Sequence, residues 1–170
     1  GLISAARARV PTALAEAVEL EDVVEEVLGA VATCFLRELS VGRRHLHDGS
    51  GYVAVSELLA GAQHARGLTS VFLGDFGGDD FDENEYDYAP EGWPELGDIS
   101  RLWSALPRLE TVRLRGGGGK LGDISAPRLR KLVLESLGIN RDVFAQVVAM
   151  TAPELEHLEL WLGALYEAPK

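Results

Sequence analysis

One six-residue arrangement, apolar at its first, fourth and sixth positions, recurs five times along the chain. The copies are LRELSV from Leu36, LTSVFL from Leu68, LETVRL from Leu109, LRKLVL from Leu129 and LEHLEL from Leu155. Their starts lie 32, 41, 20 and 26 residues apart. Apolar fourth and sixth positions flanking a fifth that is mostly polar give the period-two signature of a strand with one buried face. Pro stands just ahead of three strands, in LPRL, APRL and APEL, where its fixed φ and missing N–H do least harm. Between strands the spacing changes to that of helices. Val55, Leu58, Leu59 and Ala62 share one stripe, Ile99, Leu102, Trp103 and Leu106 a second, and Val143, Phe144, Val147 and Val148 a third. Asp98 and Asn140 occupy N-cap positions for the last two. Strand, helix and strand at this spacing predict right-handed crossovers and a parallel sheet. The stretch RGGGGKLGDISAP after Leu114 is glycine-rich and too short for an ordinary helix, so it is expected to pass the convex side as a turn or loop.

Residues 12–34 carry another pattern. Leu20, Val23, Val24, Val27, Leu28 and Val31 form a helical stripe, with Glu19, Glu21, Glu25 and Glu26 mostly outside it. A stack of repeats needs its open end covered, so residues 1–34 read as an N-terminal helical cap on a repeat domain spanning 35–170. Its acidic polar positions speak against a membrane surface.

The five LxxLxL copies, with Val replacing Leu at several positions, resemble the leucine-rich-repeat proteins over residues 35–162. The last two spacings fall in the range of about 20 to 29 residues usual for such repeats. More narrowly, LTSVFLGDF, LETVRLRGG and LEHLELWLG are similar to an uncharacterised group of bacterial cytoplasmic leucine-rich-repeat proteins. The chain departs from the pattern where an asparagine ladder is expected. Those positions hold Arg44, Phe76, Gly117, Leu137 and Gly163. The resemblance implies an α/β fold: a short, irregular solenoid with parallel strands, convex helices and the N-terminal helical cap.

Strand alternation then sends the intervening residues outward along the concave sheet. The third motif positions are Glu38, Ser70, Thr111, Lys131 and His157, and the fifth are Ser40, Phe72, Arg113, Val133 and Glu159. Arg115, Glu135 and Trp161 continue past the strands. Phe72 and Trp161 bracketing Arg113, Arg115 and Lys131 give the aromatic and arginine combination enriched at protein-binding hot spots. The expected binding set is Phe72, Arg113, Arg115, Lys131, Glu135, His157, Glu159 and Trp161, and the expected function is non-enzymatic recognition of another protein.

Charge sharpens this picture. The 170 residues carry a formal net charge of -11, against the basic footprint that a nucleic-acid backbone requires. Residues 71–100 hold no Lys or Arg against 10 acids, whereas residues 101–170 hold 10 basic residues against 8 acidic ones. No apolar run approaches the roughly 18 residues of a membrane span. The lone Cys34 permits no internal disulfide and fits a reducing compartment, with the cytoplasm as the default. The absence of an initiator Met suggests a processed or excised chain.

The acidity concentrates in an insertion at about residues 75–97. Within it Asp80, Asp82, Asn84 and Glu91 have the spacing of calcium ligands in an EF-hand loop. Glu85 stands where that loop needs Gly, and Pro90 precedes its final acid, so calcium binding is the alternative reading and not the leading one. Phe81, Tyr86, Tyr88 and Trp93 lie among the acids and suit a basic protein surface. Because the insertion follows Leu73, its carboxylates are placed to fold over Arg113 and Arg115 on the next strand. RGGGGK resembles a phosphate loop but has Leu114 and Leu121 where Gly and Ser or Thr are required. His45, His47 and Asp48 lack a distant fourth ligand for zinc. No motif of nucleophilic or metal-dependent catalysis occurs, so neither an enzyme nor a cofactor is expected. The final WLGALYEAPK has no polar capping repeat, which leaves an apolar end for further chain, a partner or a second copy to cover.

Overall fold

Four of the five strands that follow a motif leucine begin in the same way. The chain makes a tight turn in which the amide of Leu68, Leu109, Leu129 or Leu155 donates to the carbonyl of Ala65, Leu106, Ala126 or Ala152. Pro107, Pro127 and Pro153 occupy the second position of three of these turns, where φ near −65° is required anyway. The next two amides then share one carbonyl of the preceding repeat. Thr69 and Ser70 donate to Arg37, Glu110 and Thr111 to Thr69, Arg130 and Lys131 to Glu110, and Glu156 and His157 to Arg130. The shared geometry sets the register of the sheet despite the unequal spacings.

The computed structural model describes residues 4–10, 19–30, 35–43, 52–75, 95–136 and 138–161. In chain order the elements are β1 (Ala5–Val10), α1 (Leu20–Gly29), β2 (Glu38–Arg43), α2 (Val53–Gly61), β3 (Ser70–Leu73), α3 (Leu102–Ala105), β4 (Thr111–Arg115), β5 (Lys131–Glu135), α4 (Arg141–Val148) and β6 (His157–Trp161), with a 3-10 turn at Gln63–Gly67. The strands form one open sheet in sequence order, β1-β2-β3-β4-β5-β6, and every pairing is parallel. The architecture is α/β, as the spacing predicts.

One face of the sheet carries the core. Leu39, Val71, Val112 and Leu132 form one buried row, and Val41, Leu73, Leu114 and Leu134 another. Leu20, Val24 and Leu28 of α1, Val55 and Leu59 of α2, Leu102 and Trp103 of α3, and Val143 and Val147 of α4 join them in one apolar cluster. Each fully buried leucine contributes about 1.5–3 kcal/mol relative to exposure.

Several expectations change. The segment expected as a helical cap contains a strand: β1 pairs with β2 from Ala5↔Glu38 to Val10↔Arg43. Its Ala6, Ala8 and Val10 alternate with Arg7 and Arg9, a period-two signal outside the LxxLxL motif. The helix itself occupies Leu20–Gly29, and residues 11–18 and 31–34 lie outside the described ones. On α4 the stripe is narrower than predicted, because Phe144 and Val148 are exposed. Asn140 caps α4 by accepting from the Val143 amide at 2.8 Å. Asp98 accepts from the Ser100 amide at 3.0 Å in a turn ahead of α3, whose own N-cap position is Arg101. Hydrogen bonding to Ser100 and the Lys120 ammonium at 2.9 Å lower its pKa to about 2.

The glycine-rich stretch forms no helix, as expected. It buries Leu121 and Ile124, and the Leu121 carbonyl accepts the indole N–H of Trp103 at 2.7 Å. Glu95↔Gly117 and Asp98↔Lys120 pair in parallel behind the main sheet. Gly119 at φ 104° makes this approach possible, since a Cβ there would stand 2.9 Å from the Leu96 Cβ.

Candidate protein-binding face

On the opposite side of the sheet the outward rows align across the strands. Glu38, Ser70, Thr111, Lys131 and His157 are successive partners, extended by Ala5 of β1. Arg7, Ser40, Phe72, Arg113, Val133 and Glu159 form the next row, and Arg115, Glu135 and Trp161 lie in the row beyond. The expected third- and fifth-position ladders are thus true neighbours.

Within them the side chains form an organised cluster. The Arg113 guanidinium sits 4.5 Å from the centre of the Phe72 ring, and that of Arg115 lies 5.4 Å away. Both guanidinium groups hydrogen-bond Glu135, Arg113 through Nε to Oε1 at 2.5 Å and Arg115 through Nε to Oε2. Glu135 was expected to project toward a partner, but it is 2% exposed. Its carboxylate is instead the counter-ion that fixes the two arginines around Phe72. The Arg113 side chain remains 40% exposed, so one cation of this centre still faces outward. Val133, also expected outward, is 4% exposed although it is not part of the helix-side core.

A second buried carboxylate was not foreseen. After β3 the amides of Gly74 and Asp75 both donate to the Val41 carbonyl, and the Asp75 backbone passes over Gly42. A Cβ on Gly42 would stand 2.1 Å from the Asp75 carbonyl oxygen, so the missing side chain makes the crossing possible. Asp75, 4% exposed, accepts from Arg7 Nε at 2.5 Å and Nη2 at 2.7 Å. Of the insertion acids expected to fold over Arg113 and Arg115, Asp75 pairs with Arg7 of β1 and those at 76–94 lie outside the described residues, while Glu135 of β5 bridges the two arginines. The sequence signals for this pair are the alternation in AARARV and the glycine in VGR.

The β6 end has its own cluster. Glu159 accepts from the Trp161 indole at 2.7 Å and lies 3.4 Å from His157 Nε2. The Trp161 bond, with His157 second, holds its carboxyl below the usual range. Trp161 is 47% exposed, and Lys131 and His157 are also exposed. Phe72, Arg113, Arg115 and Glu135 are thus brought into contact, and His157, Glu159 and Trp161 form a separate group.

The calcium-spaced residues Asp80, Asp82, Asn84 and Glu91, the aromatics Phe81, Tyr86, Tyr88 and Trp93, and Cys34, His45, His47 and Asp48 lie outside the described residues. Among the described residues no three His, Cys, Asp or Glu side chains converge as a metal site, and no helix is long and apolar enough to cross a membrane.

No protein-family model and no curated protein matches the chain. The crystal structure of a protein from Bacteroides fragilis is similar, with a TM-score of 0.77 at 19% sequence identity, over 96% of this chain and 44% of that one. The chain therefore spans less than half the length of that protein, with which it shares its parallel-sheet α/β fold.

Proposed function

We propose that the chain is a leucine-rich-repeat scaffold that recognises another protein non-covalently across the outward rows of its sheet, in a reducing compartment such as the cytoplasm. The repeat reading is supported by five motif leucines, four of which enter their strands through the same turn and amide-sharing geometry. The observation that carries the recognition reading is the Phe72, Arg113, Arg115 and Glu135 cluster. A buried carboxylate holds two arginines against an aromatic ring before any partner arrives, which lowers the side-chain entropy lost on association. Arginine and aromatic residues preorganised at the middle of a sheet have the composition of a binding hot spot.

The test is affinity capture from extracts of the producing cells, comparing wild type with a Phe72→Ala, Arg113→Ala, Trp161→Ala variant. A specific partner recovered by the wild type is expected to fall by roughly tenfold or more with the variant, since hot-spot truncations each cost about 2 kcal/mol. Equal recovery from a variant with unchanged circular dichroism overturns the assignment of this face.

A further inference from the structure

The helix side of the molecule carries an apolar groove with acidic walls. We propose that this groove, between α1 and α2, docks a basic amphipathic helix of a partner protein. It has a volume of about 560 Å³. Leu28, Ala54, Leu58 and Gly61 supply its apolar lining, and Glu21, Glu25 and Glu57 stand along its walls. A Cβ added at Gly61 would have no heavy atom within 4 Å, so the groove is open above that glycine.

The charges on its walls are unbalanced among the described residues. Helix α1 contains Glu21, Asp22, Glu25 and Glu26 and no basic residue. Glu21 and Glu25 are four residues apart, so like charges face one another along the same wall. Neither has a cationic partner among the described residues, and Glu57 meets only the exposed Arg101, at 3.7 Å. Arg101 apart, no cation among the described residues meets these walls, which suits a basic ligand. α1 has ten residues and α2 nine, which at 1.5 Å per residue gives walls about 13–15 Å long, room for two to three turns of a third helix. The complementary ligand has a leucine-type ridge at i, i+3, i+4 and i+7 for the groove and lysine or arginine on both flanks. A second copy of this chain is a poor occupant, because its net charge of -11 adds carboxylates to carboxylates.

The proposal is tested by fluorescence anisotropy with a labelled peptide of about three helical turns. The peptide carries leucines on one face and lysines on both flanks, and a scrambled peptide of the same composition is the comparison. Binding to the intact chain should weaken with salt and exceed that of the scrambled peptide. Two variants report on the groove: Glu21→Gln with Glu25→Gln and Glu57→Gln removes its charge, and Gly61→Leu fills it without changing charge. Each should lose roughly tenfold in affinity, while Glu154→Gln with Glu156→Gln near the far edge should lose less than about twofold. Circular dichroism verifies that all variants fold. Equal binding of the scrambled peptide, equal loss in the far-edge variant, or wild-type affinity in Gly61→Leu would each overturn the proposal.

Discussion

Glu135 shows how one carboxylate organises a surface. An acid with 2% exposure would be very costly on its own, and here two guanidinium groups offset that cost. Removing it leaves Arg113 and Arg115 close together without their common counter-ion. Because Arg113 is 40% exposed, water relieves part of the resulting repulsion. Glu135→Ala is therefore expected to cost about 2–4 kcal/mol, toward the lower end for a broken buried ion pair. Glu135→Gln keeps the shape and one acceptor and should cost about 1–2 kcal/mol. Urea denaturation of the three proteins measures both values. Two variants within experimental error of wild type would mean that the arginines are held by Phe72 and the backbone instead. The outward direction of Glu135 was readable from strand alternation, but its burial was not. That depends on the long side chains of β4 reaching sideways over β5, a relation across strands that alternation within one strand does not encode.

At the level of elements, unequal loops are reconciled with an even sheet by the repeated entry turn, and this much was written in the sequence. LPRL, APRL and APEL place Pro at the turn position that its φ suits, and the leucine that closes the turn starts the next strand. β1 was less legible because AARARV is short, alanine-rich and lacks the motif leucine. The departure after β3 was illegible for another reason: it depends on Gly42, in a different strand, having no side chain where Asp75 crosses. Gly42→Ala should force the Asp75 backbone away and loosen its pair with Arg7. Overpacking of this kind costs about 1–3 kcal/mol. If the loss runs through the ion pair, Arg7→Ala combined with Gly42→Ala will be less destabilising than the two single changes added together. Full additivity in thermal melts would separate the strand crossing from the Arg7–Asp75 pair.

Across the whole molecule, core completeness falls along the sheet. In the core-facing row that starts at Ala6 of β1, Leu39, Val71, Val112 and Leu132 are essentially inaccessible, and the row ends with Leu158, which is 43% exposed. On the same side Phe144 and Val148 of α4 are exposed, while the β1 side is covered by the buried Leu20, Val24 and Leu28 of α1. Chemically equal substitutions should therefore have unequal costs. Leu132→Ala removes a side chain enclosed on all sides and is expected to cost about 3–4 kcal/mol, including the cavity it leaves. Leu158→Ala removes one that already meets water and should cost less than about 1.5 kcal/mol in dilute solution. The difference also tests what the β6 end does. Should a second copy stack there, burying Leu158 would make the wild-type melting temperature rise with protein concentration, by mass action. Leu158→Ala would lose that rise, whereas Leu132→Ala would keep it at a lower temperature. Melts of wild type and both variants over a hundredfold concentration range thus distinguish an end open to solvent from one closed by self-association. Parallel curves, independent of concentration, would rule out self-association at this edge over that range.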